Sequence, residues 1–388
     1  MSRRGFADLS RLRLVLGLLL AIAASMLHAA EFPQTVTDLA DRRVTLDRAP
    51  QRIVLQDSND VLSFALLEPE QPLTRIVAWD NNLASSDPAL WRLVSERWPA
   101  AARVQTLDFP QTGTPDIERL LRTHPDLIIA RLAARPAIDN SVLPQVLQRL
   151  GIALIYVDNE NDPLNHVPRS LTLLGQVLGQ EARATAYLSV YEAQLAQLRA
   201  RTAGLPAPKV FVEARAGQAG AGACCHTQSH TGWGLLIETL GGINLGSRYL
   251  RSQSADVAME TLILSKPDLY LMTGTQRVRK GVAAIPFGYD PDRQAIASSM
   301  AALLARPGFT AIAQSPQSCF EGLNHQFYNS VFNIIGAQWL AKLMWPEALR
   351  DLDPDTQYRQ LIATFTTLPD RPFVFQASAC LDDPAAPL

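Results

Sequence analysis

The chain is poor in the residues that build most catalytic and structural metal sites. It holds four cysteines and six histidines in 388 residues. Four cysteines are too few for a disulfide scaffold. Cys224-Cys225-His226 with His230 lacks the CxxC spacing of structural zinc. No GxSxG or HExxH motif and no paired catalytic-carboxylate context appears, which argues against a hydrolase. Positive charge is not in excess. The net charge is −2, and residues 1–30 contribute four arginines and one aspartate, so the remainder carries −5. That excludes the basic footprint of a nucleic-acid binder. Beyond the first residues no run is apolar enough to cross a membrane.

What is present begins with an export signal. Arg3, Arg4, Arg11 and Arg13 precede the apolar run Leu14–Ala24, and Ala29-Ala30 supplies small residues before Glu31. This pattern predicts a secretory signal peptide over residues 1–30, cut after Ala29 or Ala30. No cysteine follows the apolar run, so a lipoprotein anchor is not expected. The 358 residues that remain suffice for two domains with proper cores, and export permits disulfides.

The chain is organised around Glu181–Thr202. Ala184, Leu188, Tyr191, Leu195 and Leu198 recur in steps that keep them on one helix face, with no Gly or Pro between. Gly204, Pro206 and Pro208 end the stretch. On either side lies a copy of one pattern. Ile117–Ala130 (IERLLRTHPDLIIA) and Met259–Met272 (METLILSKPDLYLM) share a short helix, a Pro-Asp break and a buried strand. Two similar lobes on one strut are therefore expected: residues 31–180, a rigid helix over 181–203, and residues 204–388.

Within the first lobe, Thr35–Leu46 alternates like a hairpin around Asp41-Arg42. Strands are predicted at Arg52–Leu55, Arg75–Ala78, Leu127–Ala130 and Ala153–Val157. Helices are predicted at Asp60–Leu67, Asp87–Trp98, Ile117–Arg122, Leu143–Leu150 and Leu164–Leu178. The second lobe opens on the strand Lys209–Glu213 and a Gly-rich loop, Ala214–Gly232. Helices at Trp233–Leu240, Glu260–Ser265, Asp292–Leu304, Phe332–Leu343 and Thr356–Phe365 alternate with strands at Asp268–Met272 and Ser318–Leu323, before a polar terminus. Alternating strands and helices with short links mean α/β lobes, doubly wound around mostly parallel sheets.

In such sheets ligands bind outside the carboxyl ends of the strands, and that rule selects residues. Arg131 follows LIIA and Arg215 follows KVFVE, a pair suited to an anionic ligand through charge-assisted hydrogen bonds. Trp79 follows RIVA as an apolar or stacking wall. The Gly-rich loop brings His226 and Trp233 to the start of a helix. Its Cys224 and Cys225 can bond to each other, or each can reach Cys319 or Cys380. His325 and Tyr328, in HQFYNS, can hydrogen-bond a chelate or complete iron coordination.

TVTDLADRRVTL, APQRIVLQDSNDVLSFALLEP, the two PDL strands, the strut, IETLGGINLG and HQFYNS occur in an order that resembles the substrate-binding proteins of bacterial ABC importers. The resemblance is to the subgroup with a single interlobe helix, which takes up ferric siderophores, haem, cobalamin and metal ions. Asp57 to Asp60 departs from the small-residue pattern expected after the first strand. The resemblance implies a monomeric, non-enzymatic periplasmic protein with no intrinsic cofactor, an inner-membrane permease as partner, and one docking carboxylate per lobe. Glu96 and Glu238 are the docking candidates. The expected cargo is a ferric siderophore held by Arg131 and Arg215, with Trp79 and Trp233 over its apolar faces; haem, cobalamin or free Zn or Mn are the alternatives.

Overall fold

In a computed structural model of the chain, residues 32–380 are described, apart from 114, 221–223, 277–283 and 313–318. The expected signal peptide lies outside the described residues. Among those residues no helix is long and apolar enough to cross a membrane.

Short apolar strands build a parallel sheet in each lobe. Ile53–Leu55 and Leu127–Arg131 are buried along their whole length, as central strands covered on both faces must be. The first sheet runs in spatial order Gln105–Thr106, Ile76–Trp79, Ile53–Leu55, Leu127–Arg131, Ala153–Val157, with every neighbour parallel. In chain order this is 3-2-1-4-5, so the winding reverses between Ile53–Leu55 and Leu127–Arg131. The second sheet runs Ile243–Asn244, Lys209–Glu213, Leu269–Gly274, Cys319–Asn324, Gln376–Cys380, which is 2-1-3-4-5. Its winding reverses between Lys209–Glu213 and Leu269–Gly274, and only its last strand is antiparallel. That last strand corrects the polar terminus expected there. Ala377 and Ala379 bury against the second-lobe core while Cys380 bonds Cys319.

The Pro-Asp repeat does the same work in both lobes. The Asp126 carboxylate accepts the backbone N–H groups of Gln51 and Arg52, each at 2.9 Å. The Asp268 carboxylate accepts that of Lys209 at 2.7 Å. Each aspartate thus ties its strand to the start of the lobe's first strand, beside the point where the winding reverses.

The strut is the 22-residue helix Glu181–Thr202. Gly179, at φ 68°, turns the chain out of the preceding helix Pro163–Leu178. The helix buries Ala184, Tyr191, Leu195 and Leu198, half-buries Leu188, and also buries Tyr187, which lies beside the expected stripe. The Tyr187 hydroxyl donates to the Val331 carbonyl at 2.6 Å, and its ring meets Phe332 and Phe365 edge-on. Arg183 donates to the Leu66 carbonyl of the first lobe at 3.0 Å and to that of Phe365 at 2.9 Å. After the helix Pro354–Phe365 the chain crosses back to the first lobe. There Arg97 donates to the Thr367 carbonyl at 2.9 Å, and Thr367 donates to that of Pro69 at 2.7 Å. One apolar core runs through Leu55, Leu171, Tyr191, Val210, Leu323 and Phe332, joining both lobes to the strut. Separate cores fill the outer face of each sheet.

Candidate ligand cleft

Both reversals of winding open onto one cavity of about 520 Å³ between the lobes. Its first-lobe wall follows the strand ends: Asp57 and Asn59 after Ile53–Leu55, Asp80 and Asn82 after Ile76–Trp79, Asp108 and Gln111 after Gln105–Thr106, and Glu160 after Ala153–Val157. Its second-lobe wall holds Arg215 after Lys209–Glu213, Thr275 after Leu269–Gly274, and His325, Gln326 and Asn329 after Cys319–Asn324. The lobes touch across the cavity. Asn329 donates to the Glu160 carboxylate at 3.2 Å, and the Gly232 N–H donates to the Glu160 carbonyl at 3.0 Å.

Arg215 is the exposed cation among the described lining residues. Its backbone is left-handed, at φ 56°, a costly conformation for a residue with a side chain. Its N–H donates to Thr273 Oγ1 at 2.9 Å and its Nε to His325 Nε2 at 3.0 Å. His325 Nδ1 lies 2.8 Å from the same Thr273 hydroxyl. Both ring nitrogens are therefore engaged within the protein, and the iron-ligand role expected of His325 has no free nitrogen behind it. Glu213, two residues before Arg215, is buried in a two-pronged pair with Arg306 and accepts the Tyr270 hydroxyl.

Arg131 does not face the cleft as a ligand-binding cation. It is 3% exposed and lies beneath the first-lobe wall, with Nη2 3.2 Å from Asp60 and 3.5 Å from Asp57. Burial works against its charge, but Asp60, Asp57, Glu160 and Asp158 outweigh it and hold its pKa above the ordinary value. The same burial pushes Asp60 up to about 7, against the pull of Arg131.

The expected aromatic walls are also internal. Trp79 is fully buried with its ring edge-on to Trp91. Trp233 is fully buried against Tyr328, whose ring in turn meets His325 edge-on. Burial raises the Tyr328 pKa above its usual value, which keeps the phenol protonated. A layer of aromatics thus backs the polar wall instead of lining it. His226 is exposed on the strand His226–Gln228 and pairs with Asp256 at 2.8 Å. Cys224 bonds Cys225, and Cys319 bonds Cys380. Glu96 pairs with Arg371 at 2.7 Å and Glu238 with His230 at 2.9 Å.

Four acidic residues of the lining, Asp57, Asp80, Asp108 and Glu160, are not among the residues selected from sequence. Each stands within three positions of a strand end, so the strand-end rule that picked the arginines reaches them equally.

Known proteins share this plan. A family model described as periplasmic binding protein matches residues 74–287. The ferric enterobactin-binding periplasmic protein FepB of Escherichia coli is 29% identical over 196 residues, spanning 50% of this chain and 57% of that relative. The match thus takes in little more than half of that relative's length. Among solved structures, the TroA-like periplasmic binding protein FepB from Veillonella parvula superposes with a TM-score of 0.79 at 20% identity, over 89% of this chain and 99% of its own. The molybdate periplasmic binding protein MolA of Haemophilus influenzae, bound to molybdate, gives a TM-score of 0.62 at 16% identity, over 87% of this chain and all of its own. These two likenesses concern the fold. The family model covers more than half of the sequence and reaches from the second strand of the first sheet past the third strand of the second, and so takes in the strut and most of the cleft. The chain belongs to the periplasmic binding protein family, a family of solute-binding transport components and not of enzymes.

Proposed function

We propose that this protein captures a ferric chelate of the siderophore type and hands it to an inner-membrane ABC permease. The observation that carries the reading is the polar interlobe cavity, built where the winding of both sheets reverses and bridged by one helix. The likeness to a protein named for ferric enterobactin supports iron as the chelated metal. Pro110 is the one apolar side chain among the described lining residues, a surface that suits a hydrophilic chelate better than haem or a corrinoid. Among the described residues, one set of three metal-ligating side chains converges, Glu213 with Cys224 and Cys225. There the carboxylate is held by Arg306 and the sulfurs by each other. Among the described residues a bare Zn or Mn ion has no comparable set in the cleft.

In this reading Arg215 meets the chelate's oxygens, while Asn59, Gln326 and Asn329 supply neutral hydrogen bonds. Glu96 and Glu238 dock the permease, exchanging the exposed ion pair with Arg371 and the hydrogen bond with His230, surface contacts that are worth little for stability. Export by the leader at residues 1–30, residence in the periplasm and action as a monomer belong to the same proposal. Tryptophan fluorescence titration of the purified protein with ferric chelates, haem, cobalamin and Zn or Mn salts tests it. Saturable quenching by a ferric chelate is expected; a response to free Zn or Mn alone would overturn the reading.

A further inference from the structure

We infer that the cargo carries a cationic arm, an ammonium group seated between Asp80 and Asp108 on the first-lobe wall. The inference rests on the ferric-chelate reading and sharpens it to a charge class.

The two walls of the cleft differ in sign. The described lining residues comprise four carboxylates, all on the first lobe, and one guanidinium, Arg215, on the second. Asp57 is partly committed, because Arg131 lies 3.5 Å from it and Asn59 donates to it through both backbone and side chain. Glu160 accepts from Gln111 at 3.4 Å and from Asn329 at 3.2 Å. Asp80 and Asp108 have no cationic partner among the described residues. Asp80 accepts one hydrogen bond, from the Phe109 N–H at 3.3 Å.

Geometry makes Asp57, Asp80 and Asp108 one subsite. They follow three adjacent strands, Ile53–Leu55, Ile76–Trp79 and Gln105–Thr106, spaced at about 4.8 Å per strand. Burial raises the Asp80 pKa, and the neighbouring Asp57 and Asp108 charges raise it further. A cation entering there relieves that repulsion, and an ammonium has three donors to share among the carboxylates. Arg215 lines the opposite wall from a strained but well-braced position, suited to hydrogen-bonding the chelating oxygens at the ligand's other end. The walls therefore fit a ligand with an ammonium group at one end and metal-chelating oxygens, which accept hydrogen bonds, at the other. A ferric tris-catecholate carries three negative charges and meets repulsion on the first lobe. A ferric tris-hydroxamate is neutral at the metal, and with a terminal amine it is a monocation.

The test uses the purified protein and three ferric probes: a linear tris-hydroxamate with a free terminal amine (ferrioxamine B), its N-acetylated form, and a tris-catecholate. The amine form is expected to bind about 10- to 100-fold more tightly than the acetylated form. Asp80→Asn and Asp108→Asn should each narrow the ratio between the two affinities toward one. Equal affinity for the two hydroxamates would overturn the inference and leave the ferric-chelate reading intact. So would tightest binding of the tris-catecholate. Failure of the folded protein to bind any of the three would overturn the chelate reading and this inference together.

Discussion

Arg215 donates its Nε–H to Nε2 of His325 at 3.0 Å, and that bond fixes the protonation of the histidine. Nε2 must accept, so the ring is neutral and its proton sits on Nδ1, facing Thr273 Oγ1 at 2.8 Å. The hydroxyl also accepts the Arg215 backbone N–H at 2.9 Å, which closes a ring of three residues, Arg215, His325 and Thr273. On the proposed function, His325 acts on the ligand through Arg215.

A double-mutant cycle tests that coupling. Arg215→Ala should weaken chelate binding by about 10- to 100-fold, the cost of one charge-assisted hydrogen bond. His325→Ala should weaken it less, and the double variant should bind like Arg215→Ala alone. Calorimetric titration that finds the two losses additive would show that His325 contacts the ligand independently.

Arg131 should behave as a structural residue. Arg131→Met leaves Asp60 and Asp57 without their buried cation, and breaking such a pair costs about 3–5 kcal/mol. Urea unfolding should show that loss directly. A variant of parental stability with lost ligand affinity would return Arg131 to the binding site.

The pH dependence of stability should show the Asp158–His166 pair, whose Nδ1 and Oδ2 atoms lie 2.6 Å apart. The hydrogen bond to Asp158 raises the His166 pKa. Burial opposes the Asp158 charge, but bonds from His166 and the backbone N–H groups of Glu160 and Asn161 hold its pKa below the ordinary value. The histidine's contribution is complete below its unfolded pKa and is lost as pH rises through the raised folded value. The aspartate's is complete above its unfolded pKa and is lost as pH falls through the lowered folded value. The stability gap between the parent and His166→Gln should therefore peak at about pH 5–6 and shrink toward pH 8. A gap that widens with rising pH would contradict the assignment.

Cys319 and Cys380 join the fourth strand of the second sheet to its antiparallel edge across 61 residues. Cys319→Ser should destabilise the protein by about 2–4 kcal/mol, mainly by freeing the unfolded chain. Intact mass before and after reduction should show all four cysteines oxidised in the parent, and peptide mapping should place Cys224 with Cys225. Free thiols at Cys224 and Cys225 after isolation from the periplasm would contradict that pairing.

Features governed by local periodicity were legible in the sequence. Glu181–Thr202, the two PDL strands and the helices ended by Gly151, Gly179 and Gly241 follow from apolar spacing and glycine stops. Strand Gln376–Cys380 was hidden because its small, polar residues gain their pattern only from pairing with Cys319–Asn324. The site was half legible. The strand-end rule located Arg215 and His325, but it says where a residue lies along the chain and not which way its side chain points. Trp79 and Arg131 occupy strand ends and turn inward, one against Trp91 and the other onto Asp60. Asp57, read as a departure from the expected loop, lines the cleft.

The most direct test of the central claim is native mass spectrometry of the protein isolated from its own periplasm. The expected spectrum shows one protein chain with one bound hydrophilic chelate bearing the iron isotope pattern, lost in Arg215→Ala. A bound divalent ion without an organic chelator, or a haem or corrinoid mass, would contradict it.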